Sequence, residues 1–479
     1  MKSPFIREQK RYSFKEICLM LECDEDKATL LIRKLKEYGV MKMVKASANQ
    51  KDMSDLADDD IEVTDVRDDT VGYYYVFTYV GVIMIMGYTI KCYPKYLLHT
   101  SDSKENRKEL AQILKVLDKF DSKKQLIKML SDNTNSASYN WLALTLFLLN
   151  DYFEYGVYSN TKEIVEINGT GEILWDRTVN ETFPIVYNNR PYYTELQTRK
   201  KINDERDLFK RLHQIILTSA SRGLYQAGLA ELFDIATVYL SDKDLEELGE
   251  QEYLLYQIEN ELNVQFNTRK QMVLRALHVY ISHIGQANDV DSIYMIGTNS
   301  FHIIWEKVCA FVLGNALDTK LYKLNTPKPI GLVNRKLNLQ DVIEKPLWTI
   351  TGQTASKTLI PDLIAISEEQ FIIFDAKYYT PTLIKGKPPL SQPGIESIIK
   401  QYMYQLAYKK FIAKYGFISV KNCFLMPTES NKVISKGTVV MKMLEDIGLE
   451  NIIVRFVPAS LIYDLFLSGE QLDIDLLNL

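Results

Sequence analysis

Thr358-Leu359-Ile360-Pro361-Asp362-Leu363-Ile364-Ala365-Ile366, a polar break at Ser367-Glu368-Glu369-Gln370, then Phe371-Ile372-Ile373-Phe374-Asp375-Ala376-Lys377: this stretch decides the fold of the C-terminal part. Two apolar runs flank a short polar turn, the pattern of a buried β-hairpin. With the turn centred on Glu368-Glu369, Ser367 pairs with Gln370 and Asp362 falls opposite Asp375. Directly opposed residues share a sheet face, with Cβ atoms about 4.5–5.5 Å apart. Asp375 and Lys377, two apart on one strand, share that face as well. Two carboxylates and an ammonium thus converge beside an apolar hairpin, where charge is costly unless paired or metal-bound.

Metal-assisted phosphodiester hydrolysis suits such a group. Two close carboxylates offer hard oxygen donors, and magnesium favours a sparse, partly hydrated site of that kind. The ion lowers the pKa of bound water and neutralises phosphate charge. Lys377 would position or deprotonate the attacking water, or stabilise the pentavalent phosphorus; its place between carboxylates keeps it charged and favours the last role. A structural salt bridge at a strand end is the competing reading of the same residues.

The flanks add to the nuclease reading. Phe301-His302-Ile303-Ile304-Trp305-Glu306 opens a helical pattern ending at Gly314-Asn315, with Asn299-Ser300 as capping residues. Glu306 sits among apolar residues and Lys307 should face solvent. Downstream, Ile395 to Phe411 forms a helix on which Gln401, Gln405 and Tyr408 share a stripe. A strand-centred nuclease would use Glu306 as a further metal ligand and Gln401 to orient water. The plainer alternatives are a half-exposed helix acid and a polar helix face.

Taken together, Leu359-Ile360-Pro361-Asp362, Asp375-Ala376-Lys377-Tyr378-Tyr379, the Phe301–Glu306 segment and Lys400-Gln401-Tyr402-Met403-Tyr404-Gln405 resemble the PD-(D/E)xK nucleases, and more closely the LlaJI-type and McrC-type restriction subunits. The resemblance is strongest over residues 297–408 and extends more weakly into Ile167 to Pro184, where Asn168-Gly169-Thr170-Gly171-Glu172-Ile173-Leu174-Trp175 resembles a segment of McrC-like proteins. It implies Asp362 and Asp375 as metal ligands, Lys377 as catalytic lysine and Glu306 as the helix glutamate. Gln401 then opens a Q-x-x-x-Y-like element, although position 405 is Gln where Tyr is common. It also implies an McrB-like AAA+ GTPase partner. The chain itself has no G-x-x-x-x-G-K-[ST], so such a motor is a separate polypeptide.

At 479 residues the chain holds several domains and a large core. A net charge of −5 rules out a uniformly basic surface, so affinity for double-stranded DNA must come from local patches. Lys385, Lys387 and Lys400 form one such candidate, with Lys409, Lys410 and Lys414 beyond them. Five scattered cysteines make neither a disulfide framework nor a zinc ribbon, and no signal peptide is recognised; both point to a reducing cytoplasm. Val76 to Ile90 is too short and too broken by glycine for a membrane span and reads as strands. His278 and His283, five apart, are poorly spaced to share a metal.

Near the N-terminus, Phe14 to Leu21 and Asp26 to Tyr38 form two helices around a Glu22-Cys23-Asp24 turn. Strands at Val40 to Val44 and Tyr73 to Tyr79 follow, so the region resembles a winged helix-turn-helix. Arg33, Lys34 and Lys36 lie where a DNA reader would place them, while the acidic insert Asp52 to Asp69 would repel DNA. Glu105 to Leu130 and Asn140 to Tyr155 read as helices, Phe153 to Tyr193 as strand-rich and Ile202 to Gly285 as long helices. Strands near Lys421 to Met426, Gly437 to Met443 and Ile452 to Val457 would extend the nuclease sheet.

The expected architecture is therefore multidomain α+β. A winged-helix-like region for DNA or partner binding (1–99) precedes a central helical and strand region (100–290) and an α/β restriction-endonuclease-like domain with a mixed sheet (291–479). The expected function is a cytoplasmic, Mg2+-dependent endodeoxyribonuclease subunit of a prokaryotic restriction system. The alternative is a non-catalytic winged-helix DNA-binding or adaptor protein, in which the same charges form a structural network.

Overall fold

The computed structural model describes residues 4–45, 73–98, 104–131, 141–203, 207–282, 293–331, 335–367 and 369–479. The acidic insert at Asp52 to Asp69, His283 and Glu368 lie outside the described residues. The chain divides into two compact units, Met1–Gln125 with Met295–Leu479, and Leu126–Tyr294. The first and last regions marked off by sequence pattern thus fall within one unit. No helix among the described residues is long and apolar enough to cross a membrane.

The first unit begins with β1 (Phe5–Arg7), β2 (Arg11–Tyr12), α1 (Phe14–Leu21), α2 (Glu25–Glu37), β3 (Met41–Lys45), β4 (Tyr73–Phe77), β5 (Val80–Ile85), β6 (Tyr88–Tyr93) and α3 (Lys104–Ser131). A capping box starts α1: the Ser13 hydroxyl accepts from the Glu16 amide, and the Glu16 carboxylate accepts from the Ser13 amide at 2.7 Å. Asp24 caps α2 by accepting from the Lys27 amide. Leu31, Leu35 and Val40 are fully buried, as their spacing requires. Strands β3 and β4 pair antiparallel, and β2 adds a third strand to β4 that the sequence pattern did not disclose. Two residues are too few for periodicity to register.

The second unit contains α4 (Trp141–Tyr155), β7 (Thr161–Ile167), β8 (Glu172–Ile173), α5 (Trp175–Glu181), β9 (Ile185–Tyr187), β10 (Arg190–Tyr192), β11 (Gln197–Asn203), α6 (Leu208–Gln226), α7 (Gln251–Val264) and α8 (Thr268–Ser282). Two features depart from expectation. A short helix, α5, interrupts the strand-rich stretch and docks on β11, the Thr178 hydroxyl accepting from the Gln197 amide. Strand β11 extends to Asn203, so the helical stretch begins only where Asp207 caps α6 through the Phe209 amide. His278 sits 3.3 Å from Glu259, consistent with a structural role.

The first unit resumes with β12 (Ile293–Thr298), α9 (Phe301–Val312), β13 (Leu347–Trp348), β14 (Gln353–Thr354), β15 (Leu363–Ile366), β16 (Gln370–Ala376), α10 (Ile395–Tyr415), β17 (Ser419–Thr428), β18 (Ile434–Val439), α11 (Lys442–Glu445), β19 (Ile452–Pro458) and α12 (Ala459–Ser468). Five strands form a mixed sheet in the order β15-β16-β17-β19-β18. Its β16, β17 and β19 run parallel, and each edge strand is antiparallel to its neighbour. The segment Gly437 to Met443, read as strand, is only partly so: β18 spans Ile434–Val439, and Lys442–Glu445 turns into α11. Helix α10 covers the face carrying Phe371 and Ile373, where Tyr408, Phe411 and Phe417 surround Phe371 at ring distances of 5.3 to 6.1 Å.

A second sheet has the order β1-β6-β5-β12. Two glycines permit the β5–β12 contact. A Cβ on Gly297 (φ +155°) would lie 2.1 Å from the Val80 carbonyl oxygen, and one on Gly81 (φ +141°) 2.1 Å from that of Ile296. Backbone on both sides leaves nothing flexible to yield. Gly297→Ala is therefore expected to destabilise the chain by on the order of 2 kcal/mol or more, read as a fall in denaturant midpoint at unchanged m. An unaltered midpoint would refute the close approach.

Candidate active site

The hairpin forms in the expected register. Ile366 pairs with Phe371 and Leu363 with Phe374, and the Ser367 amide donates to the Gln370 carbonyl. The ladder then ends, and the Asp362 carboxylate replaces a backbone acceptor, taking the Ala376 amide at 2.9 Å. Asp362 is thereby fixed beside Asp375, the penultimate residue of β16. The Lys377 amide donates to the Leu425 carbonyl, so β17 holds the lysine backbone one residue past the strand. Strand alternation puts Phe371, Ile373, Asp375 and Lys377 on one face.

Asp375 is 3% exposed, and its Oδ1 lies 3.0 Å from Lys377 Nζ. That oxygen is a buried acceptor, and its contact with Lys377 is an ion pair. Burial, then the neighbouring Asp362, pushes the Asp375 carboxyl well above its usual range, with Lys377 opposing. Burial, the largest single influence, lowers Lys377, but the charge and hydrogen bond of Asp375 together with the nearby Asp362 more than offset it, and the ammonium titrates above its ordinary value.

Glu306, on α9, belongs to the same electrostatic group. Burial, then Asp362, raises its carboxyl to about 7, and Lys377 lowers it. Ser300 begins α9 without a side-chain cap, so the capping role expected of it is not used; Thr298 accepts from its amide instead. Lys307 is exposed, as its position predicts. On α10, Gln401 is fully buried and its Nε2 donates to the Ile373 carbonyl at 2.8 Å, while its Oε1 is buried without a partner. Gln405 is occupied elsewhere, accepting from Asn422 and from the Glu450 amide. The two glutamines, equivalent in sequence, are therefore distinct.

Tyr404 was not among the sequence candidates. It is 9% exposed, and its hydroxyl is raised by burial, then by Asp375, Asp362 and Glu306, which places it in the field of all three carboxylates. Its position three residues after Gln401 on the same helix was the available signal. Cys309, fully enclosed behind Glu306, has its thiol pushed well above the usual value by burial, then by Asp362 and Glu306.

A family model for the LlaJI restriction endonuclease matches residues 79–459, most of the chain. The chain belongs to the LlaJI restriction endonuclease family. Among curated proteins, it is 27% identical over 409 residues to the type II restriction enzyme BsuMI component YdjA of Bacillus subtilis (strain 168), covering 84% of this chain and 82% of that one. Solved structures align at lower similarity. A chain from the tetradecameric assembly of Thermococcus gammatolerans McrB AAA+ hexamers with bound McrC covers 98% of this chain and 99% of its own, at 12% identity and a TM-score of 0.38. One from the Thermococcus gammatolerans McrBC complex covers 64% and 86%, at 13% identity and a TM-score of 0.26.

In this LlaJI-family chain the aspartate pair fits a hard divalent cation: both groups are oxygen donors, and Asp375 Oδ1 is a buried acceptor lacking a hydrogen bond. No group of three His, Cys, Asp or Glu side chains is arranged to hold a metal among the described residues. An ion here would draw on Asp362 and Asp375, with water and substrate oxygens completing its shell; Glu306, the further ligand expected from sequence, shares their electrostatic field but does not form a three-carboxylate ligand group with them. Of the DNA-contact candidates, Lys385, Lys387 and Lys400 are exposed, the first two on the loop between β16 and α10. On α2, Arg33 is exposed and paired with Glu37 at 3.2 Å, while Lys36 is half-buried with its Nζ 3.3 Å from Met43 Sδ. Lys34 is only 9% exposed, because the helix turns it inward beside Leu31 and Leu35; it does not present a charge to a DNA groove.

The shifts give a signed pH dependence. Asp375 and Glu306 keep their protons in the folded chain above the pH at which unfolded carboxylates lose them, about 4. The folded state then binds more protons, so stability falls as pH rises from about 4 through about 7. In chelator at pH 8, Asp375→Asn is expected to unfold at a higher temperature than the parent and to show a flatter decline over that window. A lower midpoint for the variant would contradict the crowding.

Proposed function

We propose that this chain is the Mg2+-dependent DNA endonuclease subunit of a prokaryotic restriction system, hydrolysing phosphodiester bonds of double-stranded foreign DNA at a PD-(D/E)xK site. The carrying observation is the buried Asp375, crowded against Asp362 and paired with Lys377 at 3.0 Å. A structural salt bridge needs one carboxylate per lysine; a second carboxylate and a half-buried glutamate make the site unfavourable unless positive charge is added. Magnesium, bound by Asp362 and Asp375, would supply that charge and acidify a water.

Lys377 stabilises charge on the scissile phosphate, its ammonium held in place by Asp375. Glu306, with a carboxyl near 7, accepts the proton of the attacking water. The buried, unpartnered Oε1 of Gln401 orients that water, and Lys385, Lys387 and Lys400 take DNA phosphates. Helices α1 and α2 with the β2-β4-β3 sheet form a winged-helix-like docking element. The proposal includes a separate McrB-like AAA+ GTPase: the chain carries no P-loop sequence, and its Bacillus subtilis relative is by name one component of a restriction enzyme.

Plasmid cleavage with Mg2+, alone and with a neighbouring AAA+ GTPase plus GTP, tests this reading. Asp375→Ala and Lys377→Ala are expected to lower cleavage by on the order of 10³-fold or more at unchanged far-UV circular dichroism. Full activity in Asp375→Ala would sink the proposal. Glu306→Gln, which keeps the side chain's size and removes its basicity, is expected to lower the Mg2+-dependent rate at unchanged far-UV circular dichroism, and an unaltered rate would remove Glu306 from the proposal.

A further inference from the structure

Tyr378 follows the catalytic lysine directly, and its surroundings are unusual for a strand end. It is 3% exposed, and strand alternation sends its side chain to the face opposite Lys377. The ring packs 5.2 Å from Phe301, the first residue of the helix that carries Glu306. Its hydroxyl donates to Glu8 Oε2 at 2.5 Å and accepts from the Lys95 amide at 3.2 Å. That same Glu8 oxygen accepts from the Lys95 amide at 3.3 Å. The Lys95 ammonium lies 4.6 Å above the Tyr378 ring and donates to Gln9 Oε1 at 2.7 Å. Glu8, Gln9 and Lys95 are each at most 4% exposed.

A buried glutamate and a buried lysine are expensive components for a joint that apolar packing could make. What they add over apolar packing is direction. A carboxylate–phenol hydrogen bond fixes the hydroxyl to within tenths of an ångström, and the ammonium over the ring fixes its plane. With the Lys377 amide tied to Leu425 on one side and Tyr378 clamped on the other, the backbone of the catalytic lysine is held at both ends.

We propose that Glu8 and Lys95 are positioning residues for the nuclease reaction, acting through Tyr378 to set Lys377 against the scissile phosphate. The inference rests on the nuclease reading above. The N-terminal segment is then a working part of the catalytic unit, although Lys95 and Glu8 lie 283 and 370 residues from Tyr378 in sequence.

The test is steady-state cleavage by the full-length chain under the conditions that support parent activity, with thermal unfolding in parallel. Tyr378→Phe keeps the ring and deletes only the hydroxyl. It is expected to lower kcat by on the order of tenfold or more, with KM for DNA unchanged, because displaced catalytic groups cost turnover before they cost binding. Glu8→Gln, which retains an acceptor, should lose less kcat than Glu8→Ala and provides the same readout if Tyr378→Phe folds poorly. Parent kcat in folded Tyr378→Phe or folded Glu8→Ala, whatever the change in unfolding temperature, would overturn the positioning role and leave the nuclease reading intact. Absence of Mg2+-dependent cleavage by the parent would overturn both.

Discussion

The end of strand β16 must carry charge out of an apolar sheet, and much of the first unit is arranged around that constraint. Phe371, Ile372, Ile373 and Phe374 are buried in succession, because parallel pairing to β17 and covering helices leave neither face open. The next residue on the α10-facing side is Asp375. Burial there would be prohibitive without Lys377, and the nearby Asp362 makes it worse. Charge crowding of this kind is costly as structure and useful as chemistry.

Three different elements supply the groups that meet at that point. The hairpin brings Asp362, because register leaves the Ala376 amide unpaired and a carboxylate takes it. Helix α9 brings Glu306, and helix α10 brings Tyr404, with Gln401 bonded to β16 two residues before Asp375. Each is placed by a contact that has little to do with catalysis: Trp305 Nε1 donates to Leu425, and Gln401 Nε2 donates to Ile373. Those backbone carbonyls belong to the adjacent parallel strands β16 and β17, so the helices that carry the site's groups are anchored directly on the sheet. Pre-organisation of this sort is what an active site requires of its supporting shell.

Sequence was most legible where a single periodicity ruled. The hairpin register followed from counting outward from a polar turn, since a slip of one residue would reverse every side chain. Helices α1 and α2 followed from apolar spacing and caps. Sequence was least legible where the deciding contact is remote. Lys34 looks like its neighbours Arg33 and Lys36 until the packing of α2 turns it inward. Gln401 and Gln405 are interchangeable on a helical stripe until Asn422 and Glu450 occupy one of them. Strand β2 and helix α5 are too short to carry a period and exist because a neighbour hydrogen-bonds to them.

The amino-acid order by itself determined the Asp362–Asp375–Lys377 constellation, because all three lie on one hairpin whose geometry is local. It also determined that Glu306 and Gln401 sit on helices flanking that hairpin. Only the tertiary structure decided which glutamine faces the strand, that Tyr404 lies in the field of the carboxylates, and that Glu8 and Lys95 clamp Tyr378. Those relations join residues tens to hundreds apart, through side chains whose direction depends on how sheets and helices pack. Pattern along a chain encodes neighbours in a strand or a helix; it carries no signal for a contact that exists only once the chain has closed on itself.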